Sequence, residues 1–176
     1  MTHNSSVVGA YDFSRSLGVI SDIGGGQGAL LQAILNQAPD AKGVLFDLPE
    51  VLAAAIPMER TQLVAGDFLR DPLPAADVHV LKLILHDWPD AGALEILSAV
   101  RRAARRGGKL LVIETLLREG PEFNASLIMN ISMLAVVGGR ERIPVELQRM
   151  FEKTGFKLLR VIPTASVLQI VEAEAI

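Results

Sequence analysis

The chain has 176 residues, half of them apolar, 21% charged, with no cysteine and a formal net charge of -3. That length supports one domain with its own core, and the apolar content, with a mean hydropathy of +0.36, excludes disorder. The absence of cysteine excludes a disulfide framework, a thiolate zinc site and a cysteine nucleophile, and an isoelectric point near 5.6 argues against nucleic acid as the main partner.

In chain order, the first dozen residues read as a loosely held segment ahead of a domain spanning 13–176. Val19–Ile23 reads as a buried strand, stopped by Gly24-Gly25-Gly26, and Ala29–Leu35 then has helical spacing up to Pro39-Asp40. Gly43–Asp47 is a second strand, and Pro49 suits the first turn of a short helix to about Ile56. Thr61–Ala65 is a third strand and Asp77–Ile84 a fourth. A helix follows from Pro89 to Arg105, closed by Gly107-Gly108. Lys109–Glu114 is a fifth strand, and Val145–Lys153 is helical. The last two strands, Gly155–Ile162 and Ser166–Val171, are separated only by Pro163-Thr164-Ala165, too short a gap for a parallel crossover, so they pair antiparallel.

Strands separated by helices of these lengths imply a doubly wound α/β fold: a mostly parallel, Rossmann-like seven-stranded sheet with an antiparallel C-terminal strand pair. No run reaches the roughly 18 uncharged apolar residues of a membrane helix. Lys82 interrupts 78–85, and Asn130 and Ser132 interrupt 127–137. The N-terminus lacks the charged start and apolar run of a secretion signal. A cytoplasmic domain with no membrane or nucleic-acid partner is the expectation.

Asp22-Ile23-Gly24-Gly25-Gly26-Gln27-Gly28 lies between a strand and a helix, where glycines allow a sharp turn and close approach to a ligand. A plain strand-to-helix turn also uses glycine, but four in five positions favour a binding loop. Asp47 ends the second strand about twenty residues further on, where a carboxylate can accept both ribose hydroxyls; it is alternatively a residue leading into the helix at Pro49. Asp67-Phe68 ends the third strand and could flank an adenine, although Phe68 also suits the core. The spacing is Gly-x-Gly-x-Gly, neither the dinucleotide fingerprint nor a triphosphate loop.

These residues resemble S-adenosylmethionine-dependent O-methyltransferases of the large group that methylates phenolic small molecules, plant caffeate and hydroxyindole enzymes and their bacterial relatives. The likeness runs from about Ala10 to Ile170. It rests on Ala10-Tyr11-Asp12-Phe13-Ser14, the glycine loop, Phe46-Asp47-Leu48-Pro49, Gly66-Asp67-Phe68, Leu85-His86-Asp87-Trp88, Gly138-Gly139-Arg140-Glu141-Arg142 and Phe151–Phe156. The resemblance implies that S-adenosylmethionine is the cofactor, with S-adenosylhomocysteine as product. It assigns Asp22, Gly24, Gly25 and Gly26 to the methionine part, Asp47 to the ribose, Leu48, Asp67 and Phe68 to the adenine side, and Lys82 to a further cofactor contact. His86 matches the general base, Glu114 and Glu141 two acids that bracket and orient it, and Asp87 a substrate contact. Met129, Asn130 and Met133 fall where an aromatic acceptor packs, Asn130 standing where many relatives have an acid. The match is to the metal-free, histidine-based group, so no metal is expected.

Independent chemistry agrees. Methyl transfer from a sulfonium needs an aligned, deprotonated oxygen, and a neutral imidazole is a suitable base for a phenol. A carboxylate on its other nitrogen would fix the tautomer and stabilise the imidazolium. Blander readings stand beside these: Glu114 as a strand-end acid, Glu141 in a solvated ion pair with Arg140 or Arg142, and Met129 and Met133 as core. His79 reads as structural, and Arg101, Arg102, Arg105 and Arg106 as cations complementing a helix C-terminus.

The family carries an N-terminal helical dimerisation domain, and this chain begins just before the cofactor domain, as a fragment or a short natural form. Three functions remain open: an O-methyltransferase of small hydroxylated acceptors, a cofactor-binding module without turnover, and a nicotinamide-dependent oxidoreductase. Apolar surface near Leu127–Val137 is expected to promote self-association.

Overall fold

The computed structural model describes residues 3–16, 18–117 and 140–176. Its elements are α1 (His3–Ala10), β1 (Gly18–Ile23), α2 (Ala29–Gln37), β2 (Ala41–Asp47), α3 (Pro49–Leu52), β3 (Thr61–Ala65), β4 (Ala76–Lys82), a 3-10 turn (Leu85–Asp87), α4 (Asp90–Ala103), β5 (Ala104–Thr115), α5 (Pro144–Thr154), β6 (Phe156–Pro163) and β7 (Leu168–Ala175). The strands form one sheet in the order β3-β2-β1-β4-β5-β7-β6. The first five run parallel, and β7 pairs antiparallel with both β5 and β6.

Both faces of the sheet are covered, which is why its central strands read as near-continuous apolar runs. Along β5, Leu110 and Val112 face a core completed by Ala93, Ile96, Leu97 and Val100 of α4 and by Leu147, Met150 and Phe151 of α5. Leu111 and Ile113 face the opposite core, with Val7 and Val8 of α1 and Leu30, Leu31, Ile34 and Leu35 of α2. The apolar positions of α4 recur three and four apart, the spacing that puts one stripe on the sheet. Within α5, Glu146 Oε2 accepts the Ile143 N–H at 3.0 Å, and Gly155 ends the helix at φ +83. His79 is fully buried; Pro74 O, 3.0 Å from Nε2, can only accept, so Nε2 carries the hydrogen of a neutral ring.

Residues 3–10, expected within a loosely held segment, form α1, with Ser6, Val7 and Val8 buried and Gln37 Nε2 donating to Val8 O at 3.1 Å. One expectation is corrected. Gly107-Gly108 do not close the preceding helix, which ends at Ala103. Instead Ala76 pairs with Ala104 and Val78 with Lys109, so residues 105–108 bulge from β5, with Gly107 at φ +77. Arg105 and Arg106 therefore lie on a strand, and Arg105 Nη1 bonds Asp77 Oδ1 at 2.7 Å. The last two strands pair antiparallel as expected, and β7 lies between β5 and β6. Strand order reverses between β1 and β4, and their carboxyl ends open the crevice in which such sheets bind ligands.

Candidate active site

The glycine loop leaves β1 into that crevice. Gly24 N–H donates to Phe46 O at 2.8 Å, and Gly24 has φ +66. A Cβ there would stand 2.5 Å from Ile84 Cδ1, and one on Gly25 would stand 2.5 Å from Leu45 Cδ1 and 2.6 Å from Asp22 Cγ. Only glycine allows this path. Asp47 ties the loop to β2, its Oδ2 accepting the Gly26 N–H and its Oδ1 the Leu48 N–H, both at 2.8 Å. Two carboxylate oxygens carry about four acceptor sites, so capacity remains for a ligand's hydroxyls.

Asp22 is 1% exposed, and neither carboxyl oxygen has a hydrogen-bond partner of good geometry among the described residues. Burial pushes its pKa up to about 7, Asp47 reinforcing the shift and Lys82 and the Leu31 backbone N–H opposing it. Lys82, at the end of β4, donates from Nζ to Asn4 Oδ1 at 2.7 Å. Its own pKa is lowered by burial and raised by Asp22. Asn4, Asp22, Gly24, Gly25, Gly26 and Lys82 line a cavity of about 210 Å³. Leu48, directly after β2, is 40% exposed. Beyond β3, Asp67 Oδ1 accepts the Leu69 N–H at 2.9 Å, and Phe68 meets Trp88 edge-on at 5.8 Å.

The second half of the site starts where β4 ends. Leu83 adopts φ 54, unusual for a branched side chain, and turns the chain into the 3-10 segment bearing His86. Glu114, buried at the end of β5, accepts the backbone N–H of His86 at Oε1, 3.2 Å away. The acid beside the imidazole is Asp87, with Oδ1 3.4 Å from Nε2 and a half-exposed side chain. The resemblance has Glu114 orient the ring, whereas its recorded bond here is to the main chain. Burial lowers the His86 pKa and Arg142 adds to that, against Asp87 and the Leu83 backbone. The net effect favours the neutral imidazole. Burial pushes Glu114 up to about 7, against the Arg142 charge and backbone N–H groups of the 84–86 turn. Glu141 is 1% exposed and is likewise raised to about 7 by burial.

Glu141 and Arg142 are buried, which removes the solvated ion-pair alternative for them. Arg140 instead bonds Asp90 and Glu146. Sequence reasoning missed Asn4 and Arg142. Asn4 sits in the segment read as loose, and Arg142 is a cation in a charged run with no pattern to mark it as internal. Met129, Asn130, Met133 and the apolar stretch Leu127–Val137 lie outside the described residues. Among the described residues no group of three or more His, Asp or Glu side chains is disposed to hold a metal ion, and no helix is long and apolar enough to cross a membrane.

Comparison with known proteins is specific. The model of the O-methyltransferase domain family matches residues 2–157. A phenazine O-methyltransferase, PhzM, from Lysobacter antibioticus is 46% identical over 97% of this chain and 52% of its own. Human N-acetylserotonin methyltransferase in complex with S-adenosylmethionine superposes with a TM-score of 0.91 at 31% identity, covering 99% of this chain and 52% of that one. CalO1, a methyltransferase of calicheamicin biosynthesis in its S-adenosylhomocysteine-bound form, gives 0.89 at 39% identity, covering 97% and 52%. The chain thus spans about half the length of the relatives it matches.

Proposed function

This chain belongs to the O-methyltransferase domain family, and we propose that it binds S-adenosylmethionine in the Asp22–Lys82 crevice and methylates a hydroxyl of a small aromatic acceptor, with His86 as base. One observation carries the reading: a buried Asp22 carboxyl opposite Lys82, lining a cavity beside a glycine loop at the point where strand order reverses. This set fits a nucleoside bearing a cationic sulfur and an amino-acid end. Gly24, Gly25, Gly26 and Asp22 would hold that end, Asp47 the ribose, and Leu48, Asp67 and Phe68 the adenine side. We count α1 with this cofactor unit, because Asn4 reaches Lys82.

When bound, S-adenosylmethionine supplies a methyl group on a positively charged sulfur, open to in-line attack. The protein's task is to align the acceptor oxygen and remove its proton. His86, held neutral by burial, receives that proton at Nε2, and the Asp87 carboxylate at 3.4 Å stabilises the imidazolium that results. Glu114 holds the turn through the His86 N–H.

Calorimetric titration with S-adenosylhomocysteine and with NAD, followed by methyl transfer over a panel of phenols, tests the reading. We expect binding of S-adenosylhomocysteine alone, and a loss of about 10²–10⁴-fold in turnover for His86→Ala with its affinity unchanged. NAD binding without S-adenosylhomocysteine binding overturns it. A chain that binds S-adenosylhomocysteine yet is silent on every acceptor would point instead to a cofactor-holding module. Self-association through apolar surface belongs to the same proposal, and light scattering showing a strict monomer at high concentration overturns that part.

A further inference from the structure

The turn bearing His86 is constrained from three directions. At its entry, Leu83 holds a left-handed conformation that persists only where surrounding contacts over-determine it. From β5, Glu114 takes the His86 N–H. From the segment before α5 comes Arg142, 2% exposed, whose Nη1 donates to Leu85 O and whose Nη2 donates to Trp88 O, both at 2.8 Å. Those two carbonyls flank His86 and Asp87 on either side. The guanidinium also bonds Asp90 Oδ1 at the start of α4, 3.2 Å from Nε and 3.0 Å from Nη2, and Nη1 reaches Arg140 O at 3.5 Å.

Arg142 is itself anchored to the strand that carries Glu114. Its backbone bridges Leu116, and its carbonyl accepts the Leu117 N–H at 3.1 Å. The contacts close a ring: β5 to Arg142, Arg142 to the turn, the turn back to β5 through Glu114. A planar fork of fixed donors can grip two carbonyls at once, whereas a lysine ammonium is a single point on a flexible stem.

We propose that Arg142 is a positioning residue for His86, its fork fixing the carbonyls of Leu85 and Trp88 and thereby the place from which the imidazole meets an acceptor. The proposal rests on the reading of His86 as base. Arg142 also disfavours the imidazolium; among the described residues Asp87 on the same turn opposes it, and Glu114 from β5 lies at the His86 backbone N–H.

The test uses the full chain and two variants, Arg142→Lys and Arg142→Gln. S-adenosylhomocysteine affinity is expected to stay at the wild-type level in Arg142→Lys, while amide exchange at His86 and Asp87 speeds up about tenfold, the loss of one charge-assisted hydrogen bond. Amides of Leu110–Val112 should keep their protection. In Arg142→Gln the midpoint of the His86 ring titration followed by NMR moves up, because a cation is gone, and in Arg142→Lys it stays nearer the wild type. With any acceptor the wild type turns over, both variants lose kcat without a change in KM for S-adenosylmethionine. Unaltered exchange at His86 and Asp87 in Arg142→Lys overturns the proposal. So does protection lost across the whole chain in Arg142→Lys, since Arg142 then serves the fold and not the turn. A wild-type chain that fails to bind S-adenosylhomocysteine overturns the functional reading instead, and leaves the exchange and titration results to decide the clamp.

Discussion

A buried carboxyl without a partner is expensive unless something charged arrives or the group stays protonated. Asp22 sits at that balance point, with a pKa of about 7 and Lys82 across the cavity. The α-ammonium group of the ligand's amino-acid end favours the ionised form, so binding releases a proton and affinity rises with pH. Calorimetry of S-adenosylhomocysteine should show affinity increasing by up to about tenfold per unit below pH 7 and flattening above it. Asp22→Asn should lose that slope. Glu114 obeys the same rule with a different task. Its folded pKa of about 7 lies above its ordinary 4.5, so the folded state holds more protons between those values and stability declines as pH rises through the window. Glu114→Gln keeps an acceptor for the His86 N–H and cannot ionise. Relative to wild type it should gain a few kcal/mol of stability between about pH 4.5 and 7, read by urea unfolding at both ends.

Among the elements, α1 is the one whose existence depends most on its neighbours. Eight residues are too few for a helix to persist in water; α1 is held by Val7 and Val8 against α2 and by Asn4 on Lys82. Val7→Ala removes buried volume, should cost about 2 kcal/mol in urea unfolding, and should weaken S-adenosylhomocysteine binding because Asn4 loses its footing beside Lys82. The glycine loop, the acids ending β2 and β3, and the parallel strands were legible because each is a local signal, a period or a punctuation mark. The helical nature of 3–10 and the bulge at 105–108 were not: nothing in His-Asn-Ser-Ser announces a helix, and Gly107-Gly108 mark a bulge as well as a helix end. Asn4 and Lys82 are 78 residues apart, and Arg142 and Leu85 57 apart; no local pattern joins them.

For the whole molecule, the order β3-β2-β1-β4-β5-β7-β6 sets β1, β4 and β5 side by side and parallel, so the glycine loop, Lys82, His86 and Glu114 follow or end strands on one edge of the sheet. Ligand binding to the folded chain alone must then stabilise all of it. S-adenosylhomocysteine at about a hundred times its Kd should raise Tm by about 5–10 °C for a chain of this size, and NAD should leave it unchanged, by scanning calorimetry. The sequence by itself determined the fold class, the family and the identity of the chemical groups, because periodicity, glycine spacing and motif order are written along the chain. Tertiary structure alone decided which groups meet. Glu114 holds the backbone of the turn while Asp87 stands at the ring, and Arg142 is an internal clamp and not a solvated charge. The physical reason is that burial and pairing are properties of distance in space, and a charge reveals its partner only after the chain has closed around it.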